Sequence, residues 1–169
     1  MSNLWFTSDT HFGHSRILEY DKTRNHFTSL EEHDEYLIDQ WNQTVRPGDI
    51  VYHLGDFSFS SNIRQYYDRL KGNIHLILGN HDKASKMEGM FGSIQDVLYL
   101  KKENVFLSHY PHYSWNKSHH GVIHLFGHVH ENFKFVPGLD PMINKNLNVG
   151  VIWHNLRPVS LEEVKGVFK

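Results

Sequence analysis

Short apolar runs that close on a nitrogen or oxygen metal ligand constrain this chain more than any other feature. The runs are Asn3–Ser8, Asp49–Gly55, Asn73–Gly79, Ile94–Leu100, Asn104–Ser108, Val122–Gly127 and Asn146–Trp153. Most are continuous Val, Ile, Leu and Phe rather than strictly alternating, which is the pattern of strands covered on both faces. Five of them end on a candidate ligand. Asp9-Thr10-His11 follows the first, Asp56 the second, Asn80-His81-Asp82 the third, His109 the fifth, and His128-Val129-His130 the sixth. Open α/β sheets build their sites outside the carboxyl ends of strands. The pattern predicts one cluster assembled from five strand ends.

Helices fit between the runs. Ser29 and Glu32 form a capping-box pattern, and Leu30, Leu37, Trp41 and Val45 follow at helical spacing until Pro47-Gly48. Ser61–Leu70 reads as a second helix with Ile63, Tyr66, Tyr67 and Leu70 inward. Pro158 and the capping box Ser160–Glu163 open a third, C-terminal one. Strand and helix alternate early and strands cluster late, which predicts an α/β fold with a mostly parallel or mixed sheet. With 169 residues and no linker, repeat or low-complexity stretch, a single domain over 1–169 is expected.

Composition narrows the chemistry. The absence of cysteine excludes disulfides, thiolate metal sites and cysteine nucleophiles. Seventeen Lys and Arg against nineteen Asp and Glu leave a formal charge of −2, so no nucleic-acid footprint is visible at the level of the whole chain. No run approaches the 18 or so apolar residues of a membrane span, and Met1–Thr10 lacks the features of a signal peptide. A cytoplasmic protein without a membrane partner is expected. Histidine is abundant, at fifteen residues.

Asp-x-His and His-x-His place two side chains on one side of an extended segment. A glycine precedes the ligand at Gly55, Gly79 and Gly127, where it permits a sharp turn and close backbone approach. Taken singly, a strand-end Asp is more often a turn or helix cap and a lone His a structural residue. Five correctly typed strand ends together favour a metal site. Asp9, His11, Asp56, Asn80, His109, His128 and His130 make seven candidate ligands, more than one ion needs while keeping an open position. Two ions sharing a carboxylate would use them. Four imidazoles and three oxygens suit Mn²⁺, Fe, Zn²⁺, Co²⁺ or Ni²⁺ better than Ca²⁺, and manganese is the first choice. Two ions carry more charge than the two ligand carboxylates return, and the surplus attracts phosphate. A pair of metals about 3.5–4 Å apart can clamp an in-line displacement at phosphorus.

Asp9-x-His11, Gly55-Asp56, Gly79-Asn80-His81-Asp82, His109 and Gly127-His128-x-His130 appear in this order. They resemble the signature of the calcineurin-like metallophosphoesterases. Thr7–His14 and Ser108-His109-Tyr110-Pro111 resemble the small, stand-alone bacterial or phage members of that superfamily. The resemblance implies a four-layer α/β/β/α sandwich, two mixed β-sheets packed face to face with flanking helices. It implies that Asp9, His11 and His130 hold one metal and Asn80, His109 and His128 the other, with Asp56 bridging. A hydroxide between the metals would attack phosphorus. His81 would contact the phosphate and serve the leaving oxygen, and Asp82 would orient His81 or cap a following helix. The implied function is a phosphoesterase, first of all a phosphodiesterase. The alternatives are a phosphomonoesterase or nucleotide phosphatase, a nuclease, or a non-catalytic scaffold such as a retromer subunit, which lacks the histidine present here as His81.

The chain departs from the protein Ser/Thr phosphatases of that superfamily. Phe57-Ser58-Phe59-Ser60 follows Asp56 where they carry a phosphate-clamping arginine. Arg16, Arg24 and Arg64 are the nearest cations and read as solvated surface residues. His14, Tyr110 and His112 are candidate pocket residues. Tyr110, His112, Tyr113 and Trp115 form either an aromatic wall for a base or sugar or simple loop packing. His119 and His120 read as solvent-facing. His26, His33, His53, His75, His124 and His154 read as structural or surface residues. The irregular stretch 131–145 sits where loops set specificity. The expected partner is a small phosphoester or nucleotide substrate; nucleic acid is a further option that the charge does not indicate.

Overall fold

The computed structural model describes residues 2–169. In chain order its elements are β1 (Leu4–Thr7), α1 (Ile17–Tyr20), α2 (Leu30–Thr44), β2 (Ile50–His53), α3 (Arg64–Tyr67), β3 (Asn73–Ile77), α4 (Ala84–Met87), β4 (Ile94–Gln95), β5 (Val97–Leu100), β6 (Val105–Ser108), β7 (Ile123–Phe126), β8 (Asn146–Asn148), β9 (Val159–Ser160) and α5 (Leu161–Gly166). Two mixed sheets result, with strand orders β4-β3-β2-β1-β9 and β5-β6-β7-β8. In the first, β1 to β4 are parallel and β9 runs antiparallel to β1. In the second, β6, β7 and β8 are parallel and β5 is antiparallel.

The apolar runs explain the layers. Phe6, Leu54 and Ile77 of the first sheet meet Leu107, Leu125 and Leu147 of the second in one fully buried cluster. The other face of the first sheet, carrying Val51, Ile74 and Leu76, packs on Leu37, Ile38 and Trp41 of α2. Trp41 is 1 % exposed, and its Nε1 donates to the Lys71 carbonyl at 2.9 Å, so its polar atom is satisfied. Outside the second sheet the layer is thin: the 110–121 loop with its 3₁₀ turn at Ser118–His120 lays Trp115 and His112 over His124. No helix among the described residues is long and apolar enough to cross a membrane.

Several boundaries differ from the pattern. The run Ile94–Leu100 divides at Asp96: β4 stays in the first sheet and β5 crosses to the second, because local hydrophobicity carries no information about which sheet a strand joins. Asn146–Trp153 is a strand only to Asn148 and ends in a 3₁₀ turn at Val151–Trp153. The expected helix over 61–70 shrinks to α3, and α1, α4 and β9 are elements too short for a periodicity to reveal. At α2, Ser29 caps the Glu32 amide as expected, but Glu32 returns its carboxylate to the Thr28 amide at 2.7 Å instead of to Ser29. The capping box of α5 is complete.

Two core histidines set the acid limit of the metal-free fold. His53 and His124 are both fully buried, and burial pushes each imidazole down to about 3. Unfolded, both titrate near about 6.5. Between these values the unfolded chain takes up protons that the folded chain refuses, so stability is lost as pH falls below about 6.5. At pH about 4.5 each contributes a loss of about 2–3 kcal/mol. The two together rival the total stability of an ordinary domain, about 5–15 kcal/mol. The urea midpoint of metal-free protein is therefore expected to drop steeply from pH 6.5 to 4.5. A flat profile over that range would contradict neutral burial of these rings.

Candidate metal centre

The parallel strands β1, β2 and β3 end side by side, and β6 and β7 end opposite them. Backbone bonds lace the segments beyond the strands: Asp9 N–H donates to Gly55 O, His11 N–H to Asp56 O, and Gly127 N–H to His109 O, at 3.0, 3.0 and 2.9 Å. The five predicted strand ends thus converge. Asp9, His11 and His130 bring ligand atoms within 4.8 Å of one another, and Asp56, His109 and His128 do the same. Asn80 joins the second group, with Oδ1 3.0 Å from His109 Nε2. Asp56 stands between the groups: its Oδ2 is 3.6 Å from His11 Nε2 and 3.6 Å from His109 Nε2.

The backbone achieves this differently from simple strand alternation. Asp9, His11, Asp56, His128 and His130 have φ of 57°, 53°, 56°, 69° and 45°. Five of the seven candidate ligands therefore sit in the left-handed region, where a residue with a Cβ costs about 1–2 kcal/mol. Asp-x-His and His-x-His share a side here because paired left-handed kinks turn them back, not because the segment is extended. Gly127 has to be glycine for a related reason: a Cβ there would overlap Ser8 Oγ and the Asp9 carboxylate.

The donor atoms are arranged for cations. His109 Nδ1 faces the Leu54 carbonyl at 2.7 Å and donates to it. With Nδ1 so engaged, Nε2 is the ring atom that faces Asn80 Oδ1, as two ligands of one ion would. His11 Nε2 is buried with no hydrogen-bond partner among the described residues, an uncommon state for a polar atom. Burial holds the His11 imidazole down, to about 4, and also lowers His128. Both rings are neutral near pH 7, as ligation requires. Burial alone would raise the Asp9 carboxyl, yet the neighbouring His11, His109 and His130 imidazoles hold it well below the usual carboxylate range. These residues fit a pair of divalent ions.

A buried arginine ties the first group together. Arg24 is 0 % exposed, which corrects its reading as a surface residue; Arg16 and Arg64 are exposed as expected. Its guanidinium donates to the carbonyls of Asp9 at 2.6 Å and Thr10 at 3.0 Å, and to Asp21 Oδ2 at 2.9 Å. Asp21 Oδ2 lies 3.6 Å from His130 Nδ1, the carboxylate contact that fixes a ligating imidazole. Pattern alone hides Arg24; the Asp21-x-x-Arg24 spacing is its sole local hint. Arg24→Met is expected to destabilise the fold by about 3–5 kcal/mol, because Asp21 and two carbonyls stay buried without their donor. Urea unfolding measures this, and a loss under about 1 kcal/mol would show the network to be slack.

The remaining predicted residues divide. His81 is exposed and outside both groups, with its ring 6.1 Å from His11 and 4.7 Å from Phe59. Asp82 neither orients His81 nor caps α4, whose N-cap is Lys83. Its carboxylate instead accepts the amides of Gly79, Asp56 and Phe57 at 2.9, 2.8 and 3.0 Å, locking two ligand loops together. His14 reaches the site: it stacks on Phe59 at 4.0 Å and meets His11 Nδ1 at 3.3 Å. Tyr110 packs its ring 4.6 Å from His128. His112 does not belong to the pocket; it packs on Phe106 and His124 outside the second sheet, where the 110–115 loop turns away. Trp115 is buried there too, and Tyr113 is 70 % exposed, so of the aromatic wall Tyr110 alone remains. Of stretch 131–145, Glu131 and Asn132 line the cleft, together with Phe59 and Tyr20, which the pattern did not single out.

The chain is similar to known proteins. The calcineurin-like phosphoesterase family model matches residues 2–106. The uncharacterized protein MJ1445 of Methanocaldococcus jannaschii is 37 % identical over 167 residues, covering 96 % of this chain and 89 % of that one. The gene 66 protein of Mycobacterium phage D29 is 30 % identical over 200 residues, with 98 % and 95 % covered. The solved structure of AQ665 from Aquifex aeolicus, a protein of unknown function, superposes with a TM-score of 0.75 at 25 % identity, over 99 % of this chain and 100 % of that one. The family match and the convergent donor groups agree, and this chain belongs to the calcineurin-like phosphoesterases as a metal-dependent phosphoesterase.

Proposed function

We propose that the protein is a phosphodiesterase that works with two divalent ions, manganese being the first choice, on a small phosphoester or nucleotide. The observation that carries this reading is Asp56, whose Oδ2 lies equally far, 3.6 Å, from His11 Nε2 and His109 Nε2 and so joins two donor groups into one. Asp9, His11 and His130 would hold one ion, and Asn80, His109 and His128 the other, with Asp56 shared. When bound, such a pair supplies Lewis acidity to a phosphoryl oxygen and makes water acidic enough to attack near pH 7.

The chain's own residues do the rest. The His81 amide donates to Asp56 Oδ1 at 3.1 Å, which fixes the start of the side chain while the ring stands free over the cleft. From there its ring can give a proton to the departing oxygen. Phe59 packs beside that ring and beside His11 at 5.1 Å, leaving a cleft of about 420 Å³ lined also by His14, Tyr20, Glu131 and Asn132. Tyr20 and His81 at its mouth are exposed, so a phosphorus carrying two ester groups can lie across it. The test is hydrolysis of bis(p-nitrophenyl) phosphate against p-nitrophenyl phosphate by Mn²⁺-loaded protein. A clear preference for the diester is expected. The reverse preference would assign a monoesterase.

A further inference from the structure

Two clefts adjoin at His81 and differ in character. The first is the aromatic cleft just described, in which the rings of Phe59 and His14 stack at 4.0 Å and 8° and Tyr20 is 53 % exposed. The second, about 270 Å³, is lined by Ser58, Phe59, Ser60, Ile63, His81, Lys83, Lys86 and Met87. Phe59 and His81 line both. The second cleft has two lysines and no carboxylate. Its hydroxyls are already engaged: Ser58 Oγ donates to Phe12 O, and Ser60 Oγ accepts from Asn62 N–H and Gln65 Nε2. Among the described residues, the ion pairs made by Lys or Arg are all made by arginines, at 16, 24, 64, 69 and 157. Lys83 and Lys86 therefore remain free, two and five residues after His81 in the chain.

A nucleoside arm on a phosphorus beside His81 can reach both clefts, since Phe59 and His81 line both. The flat, stacked rings suit a nucleobase, since every base offers a π-face to an aromatic side chain. The paired ammonium groups suit an anion. Resting on the diesterase reading, we propose that the substrate is a nucleotide diester carrying a second phosphate, its base on Phe59 and its second phosphate on Lys83 and Lys86. These lysines supply the local cation that the missing arginine after Asp56 does not, but for a neighbouring phosphate and not for the one being cleaved. The overall charge of −2 does not oppose this, because the attraction is local.

The experiment compares three chromogenic esters on the Mn²⁺-loaded protein, with methyl p-nitrophenyl phosphate as a reference that lacks a base: bis(p-nitrophenyl) phosphate, thymidine 5′-(p-nitrophenyl phosphate), and the same nucleoside ester with an added 3′-phosphate. The 3′-phosphate is expected to lower KM about tenfold, two exposed charge contacts being together worth about that much at most, and 0.5 M salt is expected to erase most of the gain. In the double variant K83A/K86A the two thymidine esters should become nearly equal in kcat/KM, with the bis ester providing the reference rate for each preparation. In F59A, KM for both thymidine esters should rise relative to methyl p-nitrophenyl phosphate. Equal efficiency of the two thymidine esters in the wild type, or a 3′-phosphate advantage that survives K83A/K86A, overturns this proposal and leaves the diesterase reading standing. Failure to cleave any of the three overturns both.

Discussion

His81→Ala is expected to lower diester turnover by roughly 10²–10⁴-fold while bound metal stays unchanged. The geometry separates the two readouts. The His81 ring lies outside both donor groups, so its loss removes no ligand. The amide that donates to Asp56 Oδ1 is retained by alanine, so the shared carboxylate keeps its position. What disappears is an exposed imidazole over the cleft. The size of the defect depends on the departing group. A nitrophenolate leaves readily and needs little proton assistance, so its ester falls at the low end of the range. An alkoxide such as a nucleoside 5′-oxygen needs the proton, so a dinucleotide falls at the high end. The measurement is kcat for both ester types in parallel with elemental metal analysis. An equal defect for both leaving groups would make His81 a holder of the phosphate and not a proton donor. Loss of metal would place it in the ligand set after all.

Much of this site was readable from residue order because the physics there is local. A continuous apolar run must become a buried strand, and the polar residue that ends it must lie at the strand's carboxyl end. Asp9, Asp56, Asn80, His109 and His128 follow from that step alone. The geometry that unites them did not follow. Extended alternation was the natural reading of Asp9-x-His11, and the structure shows left-handed kinks at both residues instead, a conformation that no side-chain pattern announces for Asp or His. Arg24 was misplaced for a different reason. Charged side chains are nearly always solvated, and its partners, the Asp9 and Thr10 carbonyls and His33, become visible when the chain is folded. Asp82 illustrates the same limit. It stands beside His81 in the sequence, yet its oxygens turn to the amides at 56 and 57 across the sheet. Sheet membership was equally hidden: nothing within Ile94–Leu100 marks Asp96 as the point where the chain leaves one sheet for the other.

Asp56→Asn is expected to change stability in opposite directions with and without metal, and to abolish measurable catalysis. In the metal-free protein the carboxylate is a burden. Burial, followed by the Asp9 and Asp82 charges, pushes its pKa up against the pull of His109 and the His81 amide. Asparagine removes the charge and brings an N–H₂ within reach of His11 Nε2, the buried nitrogen that has no partner. Metal-free variant should therefore be more stable than metal-free wild type, by on the order of 1 kcal/mol. With divalent ions the order inverts. The aspartate faces imidazoles of both donor sets, so its charge would be felt by both ions. A unit charge about 4 Å from a cation is worth about 4 kcal/mol at an effective dielectric near 20. Losing even a third of that from each site weakens binding about tenfold per ion. Turnover should fall at least about 10³-fold, since both ions must be present together for the attack. Thermal melting with and without Mn²⁺ reads the inversion directly: wild type should gain strongly on adding metal and the variant little. A variant that keeps the full thermal gain and two bound ions would remove Asp56 from the shared position, and the two donor groups would then have to act as independent sites.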